Sequence, residues 1–310
     1  MKVLVTGGAG FLGSHLVDAL AARGMDVVVL DNFHRGSRQN LAGHLASTSL
    51  DLIEGDIRQI ETVRKAADGA EIVYHLAAQS NVMGAEQDSD YSFSTNVVGT
   101  YNVLKAAAEM GARRVVFSSS REVYGEPAEI PVSEAAPFNA KNSYGASKVA
   151  GEAYCRAWSN NTGLQVQVLR FANIYGPRDK DRVIPIWLEK ALHGEDLELF
   201  GGDQILDFVW VETAVQALTS AAECIPSAPV NVGSGSGSPI HVLARRILEV
   251  TQSASGLRIL PARQAEVTRF VADVSRMVDV LNVSPDSEPL RRLERCVAGS
   301  ETAGQLESLS

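Results

Sequence analysis

The chain has little cysteine and no long apolar run, and both shortages limit what it can be. Only three of its 310 residues are cysteine, without the close spacing of a metal site, which indicates reduced thiols in a cytoplasmic protein. No stretch approaches the roughly 20 apolar residues that a membrane span needs. The first apolar run is short and ends in Thr6-Gly7-Gly8, which is typical of a buried strand and not of a signal peptide. We therefore expect a cytoplasmic protein with no metal and no membrane segment.

The chain also has fewer basic than acidic residues. The chain has 28 lysines and arginines against 37 acidic residues, a net charge of −9. This balance argues against a nucleic acid or an anionic membrane as the main partner, although a few local arginines could still hold a small anionic ligand. The length allows one large or two medium domains with a substantial core.

Short runs of β-branched and apolar residues alternate with helical patterns through the first half of the chain. The predicted strands are Val3–Val5, Val27–Leu30, Leu52–Ile53, Ile72–Leu76, Val115–Phe117 and Val166–Leu169. The clearest helical patterns are Leu12–Ala22, Thr95–Met110 and Ser143–Trp158. This alternation predicts an α/β fold with a Rossmann-type, doubly wound parallel sheet that is buried on both faces.

After Arg170 prolines and glycines break the pattern into shorter pieces, which predicts a smaller α/β lobe for the substrate. We predict a dinucleotide-binding domain over residues 1–170, to which pieces of 205–240 return. A substrate-binding domain is expected over 171–300 and a loose tail over 301–310.

The stretch VTGGAGFLG places Gly7, Gly10 and Gly13 between the first predicted strand and the first helix. Glycines there let the backbone turn tightly and approach a pyrophosphate at the helix N-terminus, where unpaired N–H groups point outward. The spacing is GxxGxxG and not the commoner GxGxxG. Asp31 ends the second predicted strand, where a carboxylate bonds ribose hydroxyls and repels a 2′-phosphate. The pattern therefore favours NAD over NADP.

The stretch YGASK places Tyr144 and Lys148 four residues apart in a helical segment, so that both lie on one face. A free phenol has a pKa of about 10 and is a poor base at neutral pH. A nearby ammonium, together with the positive nicotinamide of an oxidised cofactor, favours the phenolate. With Ser118–Ser120 at the end of a predicted strand, this pair indicates a catalytic base.

Together these motifs resemble the extended short-chain dehydrogenase/reductases of the nucleotide-sugar epimerase/dehydratase type, over about residues 1–280. The segments that carry the resemblance are TGGAGFLGSH, DNF, GDI, HLAAQS, NVVGT, SSSREVYG, YGASK and RFANIYGPR. The resemblance implies a UDP-sugar substrate, bound NAD and a homodimer assembled through helices Thr95–Met110 and Ser143–Trp158.

The resemblance also implies roles for individual residues. Ser120 would hydrogen-bond the sugar O4, Tyr144 would be the base, and Lys148 its partner. The residues implied for NAD are Gly7, Gly10, Phe11, Leu12, Gly13, Asp31, Asn32, Asp56, Ile57, Leu76, Ala77, Ala78, Asn96, Ser118, Tyr144 and Lys148. Those implied for the substrate are Ser120, Arg121, Glu122, Asn173, Arg182, Phe200, Arg263 and Glu266. Leu206 stands where the family usually has an arginine, before the aspartate of DFVWV. One phosphate contact is therefore missing or is supplied elsewhere, with Arg182 and Arg269 as candidates.

The pair Arg121-Glu122 bears on which of three reactions the protein runs. Each would begin when Tyr144 takes the O4 proton and C4 passes a hydride to NAD. The 4-keto sugar can then be reduced on its other face, lose carbon dioxide if it is a uronate, or lose water across C5–C6. The related dehydratases carry Asp-Glu here, and an arginine cannot act as the acid. The related decarboxylases carry a glutamate at the second position, so Glu122 keeps decarboxylation open, or it is a structural carboxylate bonded to backbone N–H groups or to Arg121.

Arg182, in GPRDKDRVIP, is a second indication of the substrate. A guanidinium can bind a C6 carboxylate through two parallel hydrogen bonds, or it can bind the diphosphate. A clamped carboxylate opposes decarboxylation, because the charge must leave that group. We predict a 4-epimerase that favours UDP-glucuronic acid and forms UDP-galacturonic acid. The alternatives are a UDP-glucose 4-epimerase, a UDP-glucuronate decarboxylase, an NDP-sugar 4,6-dehydratase and a non-catalytic NAD-binding protein.

Overall fold

The structure is a computed structural model that describes residues 1–225 and 228–297, so the predicted tail over 301–310 lies outside the described residues. Its strands are β1 (Lys2–Thr6), β2 (Asp26–Asp31), β3 (Leu50–Glu54), β4 (Ile72–His75), β5 (Arg114–Ser120), β6 (Gln165–Phe171), β7 (Asn173–Tyr175), β8 (Leu197–Phe200), β9 (Ile205–Trp210), β10 (Val230–Val232), β11 (Gly237–Pro239) and β12 (Leu257–Leu260). Its α-helices are α1 (Phe11–Ala22), α2 (Ile60–Ala67), α3 (Val82–Gln87), α4 (Ser89–Phe93), α5 (Gly99–Glu109), α6 (Ser143–Thr162), α7 (Val183–Leu192), α8 (Val211–Glu223), α9 (Ile240–Thr251) and α10 (Ser275–Leu281).

Seven parallel strands form the central sheet, in the order β10-β6-β5-β4-β1-β2-β3. The order runs outward in both directions from the β1–β4 pair. At such a reversal the loops that follow neighbouring strands diverge and open a crevice at the carboxyl ends of the strands. The predicted Rossmann-type sheet is confirmed.

Both faces of the central sheet are buried, which is why its strands read as continuous apolar runs. One core contains Leu16 and Leu20 of α1 together with residues of α8 and α10. The core on the other face contains Val103 and Leu104 of α5 together with residues of α2 and α6. The helices therefore form two layers around the sheet and leave its carboxyl edge open.

A smaller lobe lies at that carboxyl edge. It contains a three-stranded sheet (β11-β9-β7), a two-stranded sheet (β12-β8) and helices α7 and α9. Its core includes Trp187, Leu199, Phe208 and Leu243. Strand β10 leaves this part of the chain and pairs with β6 in the central sheet. Among the described residues, no helix combines the length and apolar character that crossing a membrane requires.

Candidate active site

A cleft of about 810 Å³ opens at the carboxyl edge of the central sheet and extends under the smaller lobe. The loops that follow β1, β2, β4, β5 and β6 form one wall. Residues of α7, β8 and β9 contribute to the other wall. The fold thus brings the two motifs VTGGAGFLG and YGASK into one site, although more than a hundred residues separate them.

The glycine loop fits a pyrophosphate. Gly13 packs so closely against the loop that an added Cβ would lie 2.1 Å from the carbonyl oxygen of Gly7. Helix α1 begins at Phe11, and its N-cap residue Gly10 supplies no side-chain hydrogen bond. The backbone N–H groups of the first helical turn therefore keep their capacity to bind an anion at the positive end of the helix.

Asp31 lines the cleft at the end of β2, and its carboxylate is held in place by two backbone groups. Its Oδ2 accepts a hydrogen bond from the N–H of Ala9 at 2.9 Å, and its Oδ1 accepts one from Phe33 at 2.8 Å. Burial raises the pKa of this carboxyl group, and the two backbone hydrogen bonds lower it. A fixed carboxylate at this point suits the hydroxyl groups of an NAD ribose and repels a 2′-phosphate.

Two residues that the sequence analysis assigned to NAD do not line the cleft. The buried amide of Asn96 accepts from the Gln79 N–H at 2.7 Å and donates to Ser147 Oγ at 2.9 Å. Asp56 instead accepts hydrogen bonds from the side chains of Asn32 and Arg58. The polar atoms of Asn96 and Asp56 thus bond to neighbouring loops, and their direct contact with NAD stays a prediction.

Tyr144 and Lys148 meet the end of β5 as their spacing predicts. The phenol of Tyr144 is hydrogen-bonded to Ser120, and Lys148 Nζ donates to the carbonyl oxygen of Ser118 at 2.8 Å. Burial raises the pKa of Tyr144 to about 12 and lowers the pKa of Lys148 to about 8. The positive charges that most oppose this rise in the pKa of Tyr144 are those of Arg182 and Arg121. The sequence analysis had expected Lys148 to play that role.

Glu122 is buried, and both of its carboxylate oxygens are engaged. Arg121 Nη2 lies 3.0 Å from Oε1, and Asn142 Nδ2 donates to Oε2 at 2.7 Å. Asn142 also accepts a hydrogen bond from Gly145 and thereby caps α6. Of the two readings of Glu122, this geometry favours the structural carboxylate over a free base.

Arg182 lies beside Phe11, the residue that follows Gly10 of the glycine loop. Its Nη1 is 3.0 Å from Asp179 Oδ1, and its guanidinium carbon is 5.6 Å from the centre of the Phe11 ring. Burial raises the pKa of Asp179 to about 6, and the charge of Arg182 opposes that rise. Arg182 thus has a buried carboxylate partner beside the first residue of α1.

The remaining predicted substrate residues also line the cleft. The guanidinium carbon of Arg263 lies 3.6 Å from the centre of the Phe200 ring, and Arg263 pairs with Glu266 at 2.9 Å. Asn173 lines the cleft and donates to the carbonyl oxygen of Asp207 at 3.0 Å. Arg269, one candidate for the missing phosphate contact, does not line the cleft.

Arg35 and Asp179 line the cleft and were missed in the sequence analysis. Arg35 donates to Ser80 Oγ and to the carbonyl oxygen of Lys180, both at 3.2 Å, and so connects two loops across the cleft. Its place shortly after Asp31 was an available signal, because loops at the carboxyl edge of such a sheet line the crevice. The residues next to Asp179 in the sequence gave no indication that its carboxylate is buried.

Residues 3–233 match the sequence model of the NAD dependent epimerase/dehydratase family. The chain belongs to this family. It is an NAD-dependent enzyme, and NAD is the cofactor that the glycine loop and Asp31 fit. The UDP-glucose 4-epimerase of Mycolicibacterium smegmatis is 34% identical over 293 residues, 92% of this chain and 94% of that protein. UDP-glucuronic acid decarboxylase 1 of Arabidopsis thaliana is 30% identical over 307 residues, 96% of this chain and 69% of that protein.

Solved structures of the same family superimpose closely on this chain. The UDP-glucose 4-epimerase of Thermotoga maritima with UDP-glucose has a TM-score of 0.92 at 30% identity and covers 98% of this chain and 99% of its own. The UDP-glucose 4-epimerase of Thermus thermophilus in complex with NAD has a TM-score of 0.88 at 30% identity, covering 98% and 100%. The similarity thus extends over both lobes.

Proposed function

We propose that this enzyme epimerises a UDP-sugar at C4 and that UDP-glucuronic acid is its favoured substrate, with UDP-galacturonic acid as the product. The observation that carries the proposal is the meeting of Ser120, Tyr144 and two arginines, Arg121 and Arg182, at one end of the NAD cleft. The UDP-sugar class is supported by the relatives, several of which are named for UDP-glucose or UDP-glucuronic acid.

The side chains at this end of the cleft suit removal and return of a proton at O4. NAD, when bound, supplies the hydride acceptor and donor at C4. Ser120 and Tyr144 would both hydrogen-bond O4, and Tyr144 would hold its proton while the substrate is a 4-keto sugar. The charges of the two arginines favour the phenolate, because they oppose the rise in the pKa of Tyr144 that burial causes. Inversion then requires only that the ketone present its other face before reduction.

The preference for a uronate is supported by the two arginines, Arg121 and Arg182, whose charges act on Tyr144. Glu122 contacts Arg121 through one oxygen and Asn142 through the other, and Asp179 pairs with Arg182. A neutral hexose would offer Arg121 no anionic acceptor beyond Glu122. A carboxylate on C5, next to the reacting C4, supplies a further anionic acceptor at this end of the cleft.

Decarboxylation of UDP-glucuronic acid is the second candidate function. The glutamate at position 122 favours it, since the resemblance places a glutamate here in the decarboxylases, and one such relative is 30% identical. Against it stands the engagement of both Glu122 oxygens, because Arg121 and Asn142 hold this carboxylate in a structural role. Dehydration is further disfavoured because Arg121 occupies the position of the required acid.

Product analysis with a panel of UDP-sugars tests the proposal. The purified enzyme is incubated separately with UDP-glucuronic acid and UDP-glucose, and the products are separated and assigned by NMR. We expect UDP-galacturonic acid to form with the higher kcat/KM and without carbon dioxide. Formation of UDP-galactose alone would establish the neutral-sugar epimerase, and formation of carbon dioxide with a UDP-pentose would establish the decarboxylase.

A further inference from the structure

Arg121 carries a buried guanidinium nitrogen that has no hydrogen-bond partner in the described part of the chain. Its Nη2 pairs with Glu122, and its guanidinium carbon lies 5.8 Å from the centre of the buried Phe270 ring. Its Nη1 is buried without a hydrogen-bond partner among the residues that the structure describes. An unsatisfied buried donor is costly unless a ligand supplies an acceptor. Because Arg121 lines the cleft, that acceptor is expected on the substrate.

The position of Arg121 in the cleft indicates which part of the sugar it meets. It follows Ser120 directly, and Ser120 is hydrogen-bonded to Tyr144. If Ser120 and Tyr144 address O4, a guanidinium one residue further along faces a substituent on a carbon next to C4. In a hexose those substituents are the O3 hydroxyl and the C6 group carried by C5. An anionic acceptor suits this nitrogen better, since hydrogen bonds with an ionised partner are roughly twice as strong.

We infer that Arg121 binds the C6 carboxylate of a UDP-uronic acid and selects it over a neutral hexose. The inference rests on the proposed function and names the residue that sets the substrate class. The guanidinium is held before the substrate enters, because Glu122 pairs with it and Asn142 in turn holds Glu122. Less side-chain freedom is then lost on binding.

Arg182 has a different environment from Arg121, and we expect it to bind a different group of the substrate. It pairs with the buried Asp179 and lies beside the Phe11 ring, at the glycine loop that receives the cofactor pyrophosphate. A phosphate group near that loop is common to every UDP-sugar bound with NAD. Loss of Arg182 is accordingly expected to affect charged and neutral substrates alike, which makes it the matched control for Arg121.

A clamp on the carboxylate also decides what happens to the 4-keto intermediate. In decarboxylation the C5–C6 bond breaks, its electron pair moves onto the C4 carbonyl as an enolate, and carbon dioxide leaves before C5 takes up a proton. The negative charge thus flows out of the carboxylate into the ring. Arg121 stabilises the charge on the carboxylate and so opposes this flow, which keeps the intermediate for epimerisation.

The test compares Arg121→Met with Arg182→Met in NAD-loaded enzyme. Binding of UDP-glucuronic acid and UDP-glucose is measured by calorimetry in a Tyr144→Phe background, where turnover does not disturb the titration. Arg121→Met should weaken binding of UDP-glucuronic acid about ten- to a hundredfold more than that of UDP-glucose. Arg182→Met should weaken both to a similar degree. With Tyr144 present, Arg121→Met should also release more UDP-pentose and carbon dioxide per epimerised product than the parent.

Further variants keep the inference falsifiable if Arg121→Met leaves Glu122 buried without a partner and does not fold. The double variant Arg121→Met/Glu122→Gln removes both charges and should show the same selective loss, whereas Glu122→Gln alone should keep the preference for the uronate. Equal losses on both substrates for the Arg121 variants would overturn the inference and leave the uronate epimerase standing. A parent enzyme that turns over UDP-glucose but not UDP-glucuronic acid would instead overturn the proposed function.

Discussion

Tyr144 is the side chain on which the proposed chemistry depends most directly. Tyr144→Phe removes the phenol oxygen that is hydrogen-bonded to Ser120 but keeps the buried ring. Removal of a positioned acid or base typically costs about 100- to 10,000-fold in rate. We expect a loss of kcat in that range, while the amount of NAD released by denaturing the variant equals that of the parent. Activity within a few-fold of the parent would refute the assignment.

Because Lys148 is buried, we expect the free energy of unfolding to vary with pH in the alkaline range. Burial lowers its pKa to about 8 in the folded protein, from 10.5. Between pH 8 and 10.5 the unfolded chain binds the proton and the folded chain does not, so this group makes stability rise with pH by up to about 1.4 kcal/mol per unit. Thermal unfolding at about pH 7 and about pH 9.5, on either side of the folded pKa, should therefore show Lys148→Met gaining less from the higher pH than the parent. Parallel curves for the two proteins would contradict the buried, titrating lysine.

The turn between β1 and α1 depends on the absence of a side chain at Gly13. A Cβ there would lie 2.1 Å from the Gly7 carbonyl oxygen, so Gly13→Ala must displace the loop that receives the pyrophosphate. We expect the variant to purify with little or no NAD and to unfold at a lower temperature. Gly43→Ala is the control, because an added Cβ at Gly43 has no heavy atom within 4 Å and should change neither property.

Helices α5 and α6 present an aromatic surface, and we propose that it forms the homodimer expected from the resemblance. Tyr101 packs edge-on against Tyr154 and Trp158, and Tyr154 is 38% exposed. Tyr154→Glu places a charge on this surface and should shift the enzyme from dimer to monomer in light scattering after gel filtration. Ile259→Glu, at a residue 71% exposed on β12, is the control and should leave the dimer intact. A monomeric parent enzyme would refute the proposal.

The two lobes contact each other beside the glycine loop, which bears on how NAD is used. Arg178 of the smaller lobe pairs with Asp18 of α1 at 2.8 Å, and His15 of α1 contacts the Pro177 carbonyl oxygen at 2.9 Å. We expect the enzyme to purify with NAD and to turn over without added cofactor, because an epimerase returns the hydride it removes. A requirement for stoichiometric NAD, with NADH accumulating, would indicate a net dehydrogenase.

Features that depend on short stretches of chain could be predicted from the sequence. The parallel sheet followed from apolar runs alternating with helical patterns, and the phosphate loop from glycines where only a backbone without side chains can turn. Tyr144 and Lys148 share a helix face because four residues make about one turn. Each of these predictions needs only neighbouring residues, since local backbone geometry sets the distances involved.

Contacts between distant parts of the chain were decided by the tertiary structure alone. The sequence Arg121-Glu122 left the role of the glutamate open. The structure shows that Asn142, twenty residues later, donates a hydrogen bond to its second oxygen. Asn96 belongs to a recognisable motif, yet packing turns its amide toward Gln79 and Ser147 and away from the cleft. Which polar atoms remain free for a ligand depends on which others are already satisfied. The set of satisfied polar atoms depends on how α6, the smaller lobe and the loops of the sheet pack together. The periodicity and spacing of the sequence do not specify this packing.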